Sequence, residues 1–334
     1  MTPSCGPARL ASLLASLDVR VESAHVEQQA VSLPDYPDGP RPSSVVCLTG
    51  RGHSGWGENV AFFRHEHERF AALVEGWSRT AAASSPVRVQ DVATLEGSPY
   101  ERAALEAALV DLALSQAGIS LYDLTGVREA SLRFVVSLAV DPNPEAVVRR
   151  LRAEVCTADL KVDVDASWAP HTVARLAGDS SIVIFDFKGR ASPELCHRIH
   201  SLSRGAWLED PPVGFDEPPA GLRAPRVSRD ATVIDEFAAA RASARGEAVN
   251  LKAPRMGGPL SVLRALEHAP AWAYLGGMFE VNVGRSQARQ LAALYCAAAP
   301  NDLALNLPEG SRPERHPHRP PAQIRLDTLG FGAR

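Results

Sequence analysis

The chain is predicted to be an α/β protein: a barrel of parallel strands with a smaller α+β region ahead of it. Three observations predict this. From Ser131 onward, apolar and β-branched runs of about five to eight residues alternate with amphipathic helical patterns. Ionisable residues recur at the C-terminal ends of successive runs. The stretch Val249–Gly258 carries Lys252 at the end of one run, then Pro254, then Gly257-Gly258, with a helical pattern from Pro259 to His268. It reads as a strand whose tip presents a lysine, then a tight loop and a helix. Parallel strands need crossovers of this kind, and α/β barrels place their chemistry at the C-terminal strand ends.

In order, residues 1–18 are Ala-, Leu- and Ser-rich and predict a short lead-in or brief helix. Val19 to Val31 and Ser44 to Thr49 read as strands. Between them Leu33 to Pro42 holds four prolines and reads as a loop. A Gly-rich turn follows at Gly52–Gly55. Helical patterns span Glu66–Thr80 and Glu101–Ala117, the second with an apolar stripe at Ala104, Leu105, Ala108, Leu109, Leu112 and Ala113 and a stop at Gly118. The barrel strands are predicted at Leu132–Val140, Leu160–Val164, Ile182–Phe187, Ala206–Glu209, Arg226–Asp230, Ala248–Lys252, Ala271–Leu275 and Leu303–Leu307. Helices are predicted at Pro144–Val155, Trp168–Ala177, Pro193–Leu202, Val233–Ala244, Leu260–His268 and Ser286–Ala298. Pro211–Leu222 is too proline-rich for more than a short helical turn. Residues 308–321 read as an exposed loop, and Gln323 to Phe331 offers a last strand and turn. A doubly wound open sheet is the alternative, but no G-x-G-x-x-G follows the first strand.

The 334 residues suffice for a barrel and a smaller domain. The composition, 45% hydrophobic and 22% charged, is that of a globular chain with a proper core. A net charge of −4 argues against nucleic acid or an acidic membrane surface as partner. The five cysteines (Cys5, Cys47, Cys156, Cys196, Cys296) form no C-x-x-C and predict free thiols in a reducing, cytoplasmic compartment. No apolar run approaches the roughly 20 residues of a membrane span, and the N-terminus has no secretory pattern.

The strand ends carry the chemistry. Lys161 is flanked by Asp159 and Asp163; Asp186 is followed by Lys188; then come Glu209, Asp230, Lys252 and Glu280. Residues i and i+2 share a strand face, so Lys161 and Asp186 can both point inward. Asp186, Glu209 and Asp230, from three consecutive strands, would make a hard-oxygen site suited to Mg²⁺, with Mn²⁺ as an alternative. Such an ion binding a substrate carboxylate acidifies the adjacent C–H. A lysine beside a dication can take the proton. Lys161 and Lys252 stand on strands either side of the trio, so one lysine can abstract while the other delivers a proton or stabilises charge.

These motifs resemble the enolase superfamily, in its muconate cycloisomerase-like subgroup with the o-succinylbenzoate synthases and N-acylamino acid racemases. Val249–Gly258 resembles the sixth-strand signature, Gly276–Arg285 the seventh-strand segment, and Trp207–Pro211 the strand of the second metal ligand. Gly55–Glu58 and Ala107–Ala113 resemble the capping domain, and Leu329–Gly332 the segment that returns to it. The resemblance implies a (β/α)7β barrel over 129–308, an N-terminal α+β capping domain over 1–128, and a C-terminal segment, 309–334, completing the cap. It implies Asp186, Glu209 and Asp230 as metal ligands, Lys161 and Lys252 as the acid–base pair, and a small carboxylate substrate. It allows a homo-oligomer. The implied reaction is abstraction of the proton α to a carboxylate through an enediolate, giving isomerisation, racemisation or elimination. The loop between Leu33 and Pro42 and the Gly52–Gly55 turn would fold over the mouth and help choose the substrate.

Three positions depart from the family pattern: Asp159 for the first lysine of Lys-x-Lys, Lys188 for the asparagine after the first ligand, and Ala231 for the glutamate after the third. One expectation is a charge swap, with Lys188 paired to Asp159. A second reading puts the Lys188 ammonium where the metal would sit, leaving a non-enzymatic, small-molecule-binding relative. Elsewhere, His65-Glu66-His67-Glu68 reads as a solvated helix face, since i and i+2 do not face each other on a helix. Arg315–His318 reads as a loop. Asp235-Glu236 suits a helix start. No G-x-S-x-G or P-loop pattern is present.

Overall fold

In the computed structural model, residues 3–31, 40–84, 86–154, 159–203, 205–215, 224–269, 272–280, 283–303 and 322–332 are described. The N-terminal third runs α1 (Pro7–Ala15), β1 (Asp18–Val19), β2 (Ser23–Val31), β3 (Arg41–Gly50), β4 (His53–Asn59), α2 (Arg64–Ala83), β5 (Val87–Arg88), α3 (Pro99–Ala117) and α4 (Leu121–Thr125). Strands β2, β3 and β4 form an antiparallel sheet.

Helix α3 is the organising element of this part. It is buried on nearly all sides from Ala103 to Leu114, more than the single predicted stripe. Ser98 caps it, its side chain accepting from Glu101 N–H while Glu101 reaches back to Ser98 N–H at 2.6 Å; Gly118 ends it in the left-handed conformation. Three buried acids on α3 each have a structural task. Glu101 binds Arg69 at 2.9 and 3.0 Å. Asp111 accepts from Trp56 N–H at 2.9 Å and from Phe331 N–H at 2.6 Å, tying the C-terminal segment to the sheet. Glu106 accepts from Leu260 N–H at 2.8 Å, at the start of a barrel helix. β4 lies so close to α3 that a Cβ on Gly57 would sit 1.9 Å from Ala104 O. Gly57→Ala is therefore expected to destabilise the protein by about 2–4 kcal/mol, from forced overpacking. Chemical denaturation would measure this, and a loss below about 0.5 kcal/mol, the scale of a neutral surface change, would show that the helix can move aside.

His67 corrects a sequence expectation. It lies inside, with Nδ1 2.8 Å from Ser44 Oγ and Nε2 3.1 Å from Ala61 O, because α2 buries His67, Phe70 and Val74 along one stripe. Burial lowers its pKa. Glu66 instead caps the helix, accepting from Phe63 N–H at 2.9 Å.

The rest holds the barrel and one separate strand pair, β6 with β14: β6 (Glu129–Leu132), β7 (Val135–Leu138), α5 (Pro144–Glu154), β8 (Asp159–Asp163), α6 (Pro170–Ala177), β9 (Ile182–Asp186), α7 (Pro193–Leu202), β10 (Trp207–Glu209), β11 (Arg226–Arg229), α8 (Glu236–Ala244), β12 (Ala248–Leu251), α9 (Ala253–Met256), α10 (Pro259–His268), β13 (Ala273–Leu275), α11 (Val283–Tyr295) and β14 (Ala322–Arg325). Strands β7 to β13 form one parallel sheet in chain order, the α/β architecture expected. Asn301 and Asp302 bridge to Phe134 beside β7 and to Gly276 beside β13, closing the sheet at its eighth position. The predicted first strand is in fact two. Its start, β6, pairs antiparallel with β14, and only β7 enters the barrel. Asp235 caps α8, as expected, accepting from Ala238 N–H at 2.6 Å. Residues 32–39, 216–222 and 304–321, which include most of two predicted loops, most of the eighth predicted strand and the Arg315–His318 run, lie outside the described residues. No helix among the described residues is long and apolar enough to cross a membrane.

Glu106 gives a pH-dependent prediction. Burial pushes its carboxyl up to about 7 from an ordinary 4.5; Leu260 N–H, Arg264 and Arg102 oppose this. The folded state then holds a proton that the unfolded state releases between those values. Its contribution to stability is full below about pH 4.5 and lost as pH rises through about 7. Glu106→Gln should gain on wild type by about 1–3 kcal/mol from pH 5 to pH 8. Thermal melts of both proteins across that range would show it, and parallel curves would refute it.

Candidate functional site

The site stands at the C-terminal ends of the barrel strands. Register fixes its layers: Asp163 pairs with Asp186, and Asp186 with Glu209. Lys161 lies one layer lower, beside Ile184 and Ser137. Asp230 follows β11, and Lys252 follows β12 at the N-terminus of α9. Asp186, Glu209 and Asp230 are all buried and offer oxygens lying within 4.8 Å of one another. The expected triad is therefore brought together. Arg229, next to Asp230, turns aside to bind Glu247 at 2.6 Å, which leaves Asp230 as the inward acid.

Buried charges must be paired, and each of these is. Asp186 Oδ2 is 3.0 Å from Lys161 Nζ and 2.5 Å from Lys188 Nζ. Glu209 accepts from Lys161 and from the Tyr274 hydroxyl, which lies 2.5 Å from Ser228 Oγ. Asp230 Oδ2 accepts from Lys252 at 2.7 Å, and its Oδ1 from Arg255 at 2.7 Å. Arg255 also donates to Asp230 O at 2.6 Å. The Asp210 carboxylate accepts from the N–H groups of Asp230 (3.0 Å) and Ala231 (2.8 Å), locking the turn that presents Asp230.

The electrostatics follow from this packing. Burial would depress Lys161, but Asp302, Glu209, Asp186 and Asp230 outweigh it and hold its pKa well above the usual lysine value. Burial raises Asp186 and Asp230, yet Lys161 and Lys188 bring Asp186 down to about 2, and Lys252, Lys161 and Arg255 hold Asp230 well below the usual range. Burial pushes Glu209 up to about 8, opposed by Lys161 and reinforced by the negative charge of Asp186 and Asp230. With Glu209 ionised, as a bound metal would require, five carboxylates (Asp163, Asp186, Glu209, Asp230, Asp302) meet four cations (Lys161, Lys188, Lys252, Arg255), an excess of one negative charge. A buried, all-oxygen donor set with surplus negative charge fits a hard divalent cation such as Mg²⁺.

The structure corrects the expected charge swap. Asp159 stands at the opposite end of β8, about 13 Å along the strand from Asp163, and binds Arg133 Nε at 2.6 Å. Lys188 pairs instead with Asp163, at 3.2 Å, and with Asp186. Lys188 lies beyond the end of β9, at the mouth, while Asp159 lies at the far end of β8. Glu280 is buried and accepts from Met278 N–H at 2.8 Å, shaping the turn after β13. Sequence reasoning missed Asp302, which lies 3.1 Å from Lys161 Nζ and 2.5 Å from Ser137 Oγ. It precedes the predicted eighth strand, so no strand end pointed to it. Tyr274 was missed too; a hydroxyl inside a short apolar strand was its one signal.

A family profile described as the C-terminal domain of DUF8230, a domain of unknown function, matches residues 128–307, and that of its N-terminal domain matches residues 12–124. The chain belongs to this family. The DUF8230 chain is also a distant member of the enolase superfamily, in the subgroup of mandelate racemase and muconate lactonizing enzyme. It is 27% identical over 281 residues to a hydrophobic dipeptide epimerase of Roseobacter litoralis, covering 75% of this chain and 79% of that protein. It is 23% identical over 280 residues to an o-succinylbenzoate synthase of Geobacillus kaustophilus, covering 76% and 74%. Its fold matches a dipeptide epimerase of Enterococcus faecalis, complexed with Mg and the dipeptide L-Leu-L-Tyr. There the TM-score is 0.71 at 18% identity, with 94% of this chain and 98% of that one covered.

Proposed function

We propose that this chain abstracts the proton α to the carboxylate of a small substrate, as a metal-assisted isomerase or lyase of the racemase, cycloisomerase or o-succinylbenzoate synthase type. One observation carries the reading: a buried oxygen triad lies between lysines on opposite walls. In an eight-position barrel β8 and β12 are four strands apart, hence diametrically opposed. Asp186, Glu209 and Asp230 would hold Mg²⁺, which would supply Lewis-acid stabilisation of the charge developing on the substrate carboxylate. Lys252 on one wall takes the α-proton. A lysine of the other wall, Lys161 in the sequence reading, delivers a proton to the opposite face or stabilises charge. Arg255 keeps Asp230 oriented, and Tyr274 keeps Glu209 oriented. The similarity to dipeptide epimerases supports N-acylated amino acids and dipeptides as the first substrates to test.

The test is α-carbon deuterium exchange across such a panel in D₂O with Mg²⁺. Loss in Lys252→Ala of the wild-type exchange of the enantiomer that Lys252 serves supports the reading; no exchange of any member by wild type sinks it. A metal-free relative is the second reading, favoured by Lys188 Nζ lying 2.5 Å from Asp186 Oδ2. Calorimetric titration with Mg²⁺ separates the two, since no heat and no rise in melting temperature would favour the metal-free form.

A further inference from the structure

Lys161 and Lys188 stand on the same wall of the barrel, and their ammonium groups reach different things. An ammonium has three N–H donors. Lys161 has three carboxylate partners: Glu209, Asp186 at 3.0 Å and Asp302 at 3.1 Å. Its side chain is 3% exposed and approaches the triad from the layer below. Its hydrogen bonds run to Glu209 and Asp302, with Asp186 as an added ion pair, so carboxylates enclose its ammonium. Lys188 has two carboxylate partners among the described residues, Asp186 at 2.5 Å and Asp163 at 3.2 Å. Its side chain is 44% exposed. Its hydrogen bond runs to Asp186, with Asp163 as an ion pair, and it is the more open of the two side chains.

The backbone holds Lys188 in this pose. Its φ is +51°, a left-handed conformation uncommon for lysine, and its N–H donates to Asp186 Oδ1 at 3.0 Å. Three non-glycine residues with positive φ (Lys188, Asp210 and Phe279) follow barrel strands, so strained backbone gathers at the mouth. Asp163, at the tip of β8, receives the ammonium from the loop after β9.

We propose that Lys188, rather than Lys161, is the lysine that touches substrate on this wall, and that Lys161 is a fixed counter-ion beneath the triad. The assignment deepens the α-proton reading above and rests on it. As the Cα–H bond breaks, Lys252 takes the proton and the electron pair stays on the substrate. An N–H bond of Lys188 then breaks as a new Cα–H bond forms on the opposite face, inverting the centre. In the reverse direction the two lysines exchange roles.

Two measurements test this. The first follows deuterium exchange into each enantiomer of N-acetylleucine in D₂O with Mg²⁺. Lys188→Ala should slow exchange of one enantiomer by about 10²–10⁴-fold and spare the other, which Lys252 serves. Lys188→Gln, which keeps a donor for Asp163, should behave as Lys188→Ala. Wild-type exchange of both enantiomers by either variant overturns the assignment. The second needs no turnover: reductive methylation of the native protein, read by peptide mass, with and without N-acetylleucine and Mg²⁺. Lys188 should be methylated, Lys161 spared, and the carboxylate should protect Lys188. Methylation of Lys161 as fast as Lys188, or no protection of Lys188, overturns the assignment. Protection of Lys188 in a protein that exchanges neither enantiomer upholds the contact and sinks only the reaction.

Discussion

Lys252→Ala is expected to lower kcat/KM for α-proton exchange of the enantiomer that Lys252 serves by about 10³-fold or more, while the melting temperature changes little. The size is that of losing a positioned acid–base group. The fold should survive because Asp230 keeps Arg255, which holds both its backbone oxygen and Oδ1. Removing Lys252 therefore does not leave a buried carboxylate without a cation. Steady-state kinetics paired with thermal melts would check both halves. A variant retaining a tenth of the wild-type rate would show that Lys252 is a counter-ion to Asp230 and that the proton goes elsewhere.

Glu209→Gln is expected to weaken Mg²⁺ binding by about 100-fold or more, because it removes the central anionic donor of the triad. Burial pushes the Glu209 carboxyl up to about 8, against the pull of Lys161, so near neutral pH it holds a proton that a dication must displace. Metal binding should then release a proton and tighten as pH rises toward about 8. Titrations in buffers of different ionisation enthalpy would detect that release. Both the release and the pH dependence should disappear in Glu209→Gln. Equal Mg²⁺ affinity in variant and wild type would move the metal off this triad. The Glu106 carboxyl, raised for the same reason but remote from the triad, should leave metal affinity unchanged when replaced by glutamine.

Particular residues show what a single sequence can carry. Asp186, Glu209 and Asp230 were legible because each ends a short apolar run, and parallel strands deliver such ends to one mouth. Asp235 was legible as a cap because capping is local. His67 was not, since which side of α2 is covered depends on the sheet beneath it. Leu132 and Val135 read as one continuous strand, and only the partner strands divide them. Lys188 and Asp159 seemed a pair because period-two alternation fixes the face of a strand but not the height at which neighbouring strands are registered. Asp302 was invisible because its importance comes from closing the barrel between the strands at either edge.

By itself the sequence determined the class of fold, the three acids and the lysine after the sixth barrel strand, all of which follow from local periodicity and from one ionisable group per strand end. The tertiary structure decided which cation meets which carboxylate. It set Lys161 under the triad with three carboxylate partners and left Lys188 at the mouth with two. The reason is register: a shift between Leu160 and Lys161 in the pairing of β8 with β9 aligns Asp163 with Asp186, and that offset is a property of two strands together.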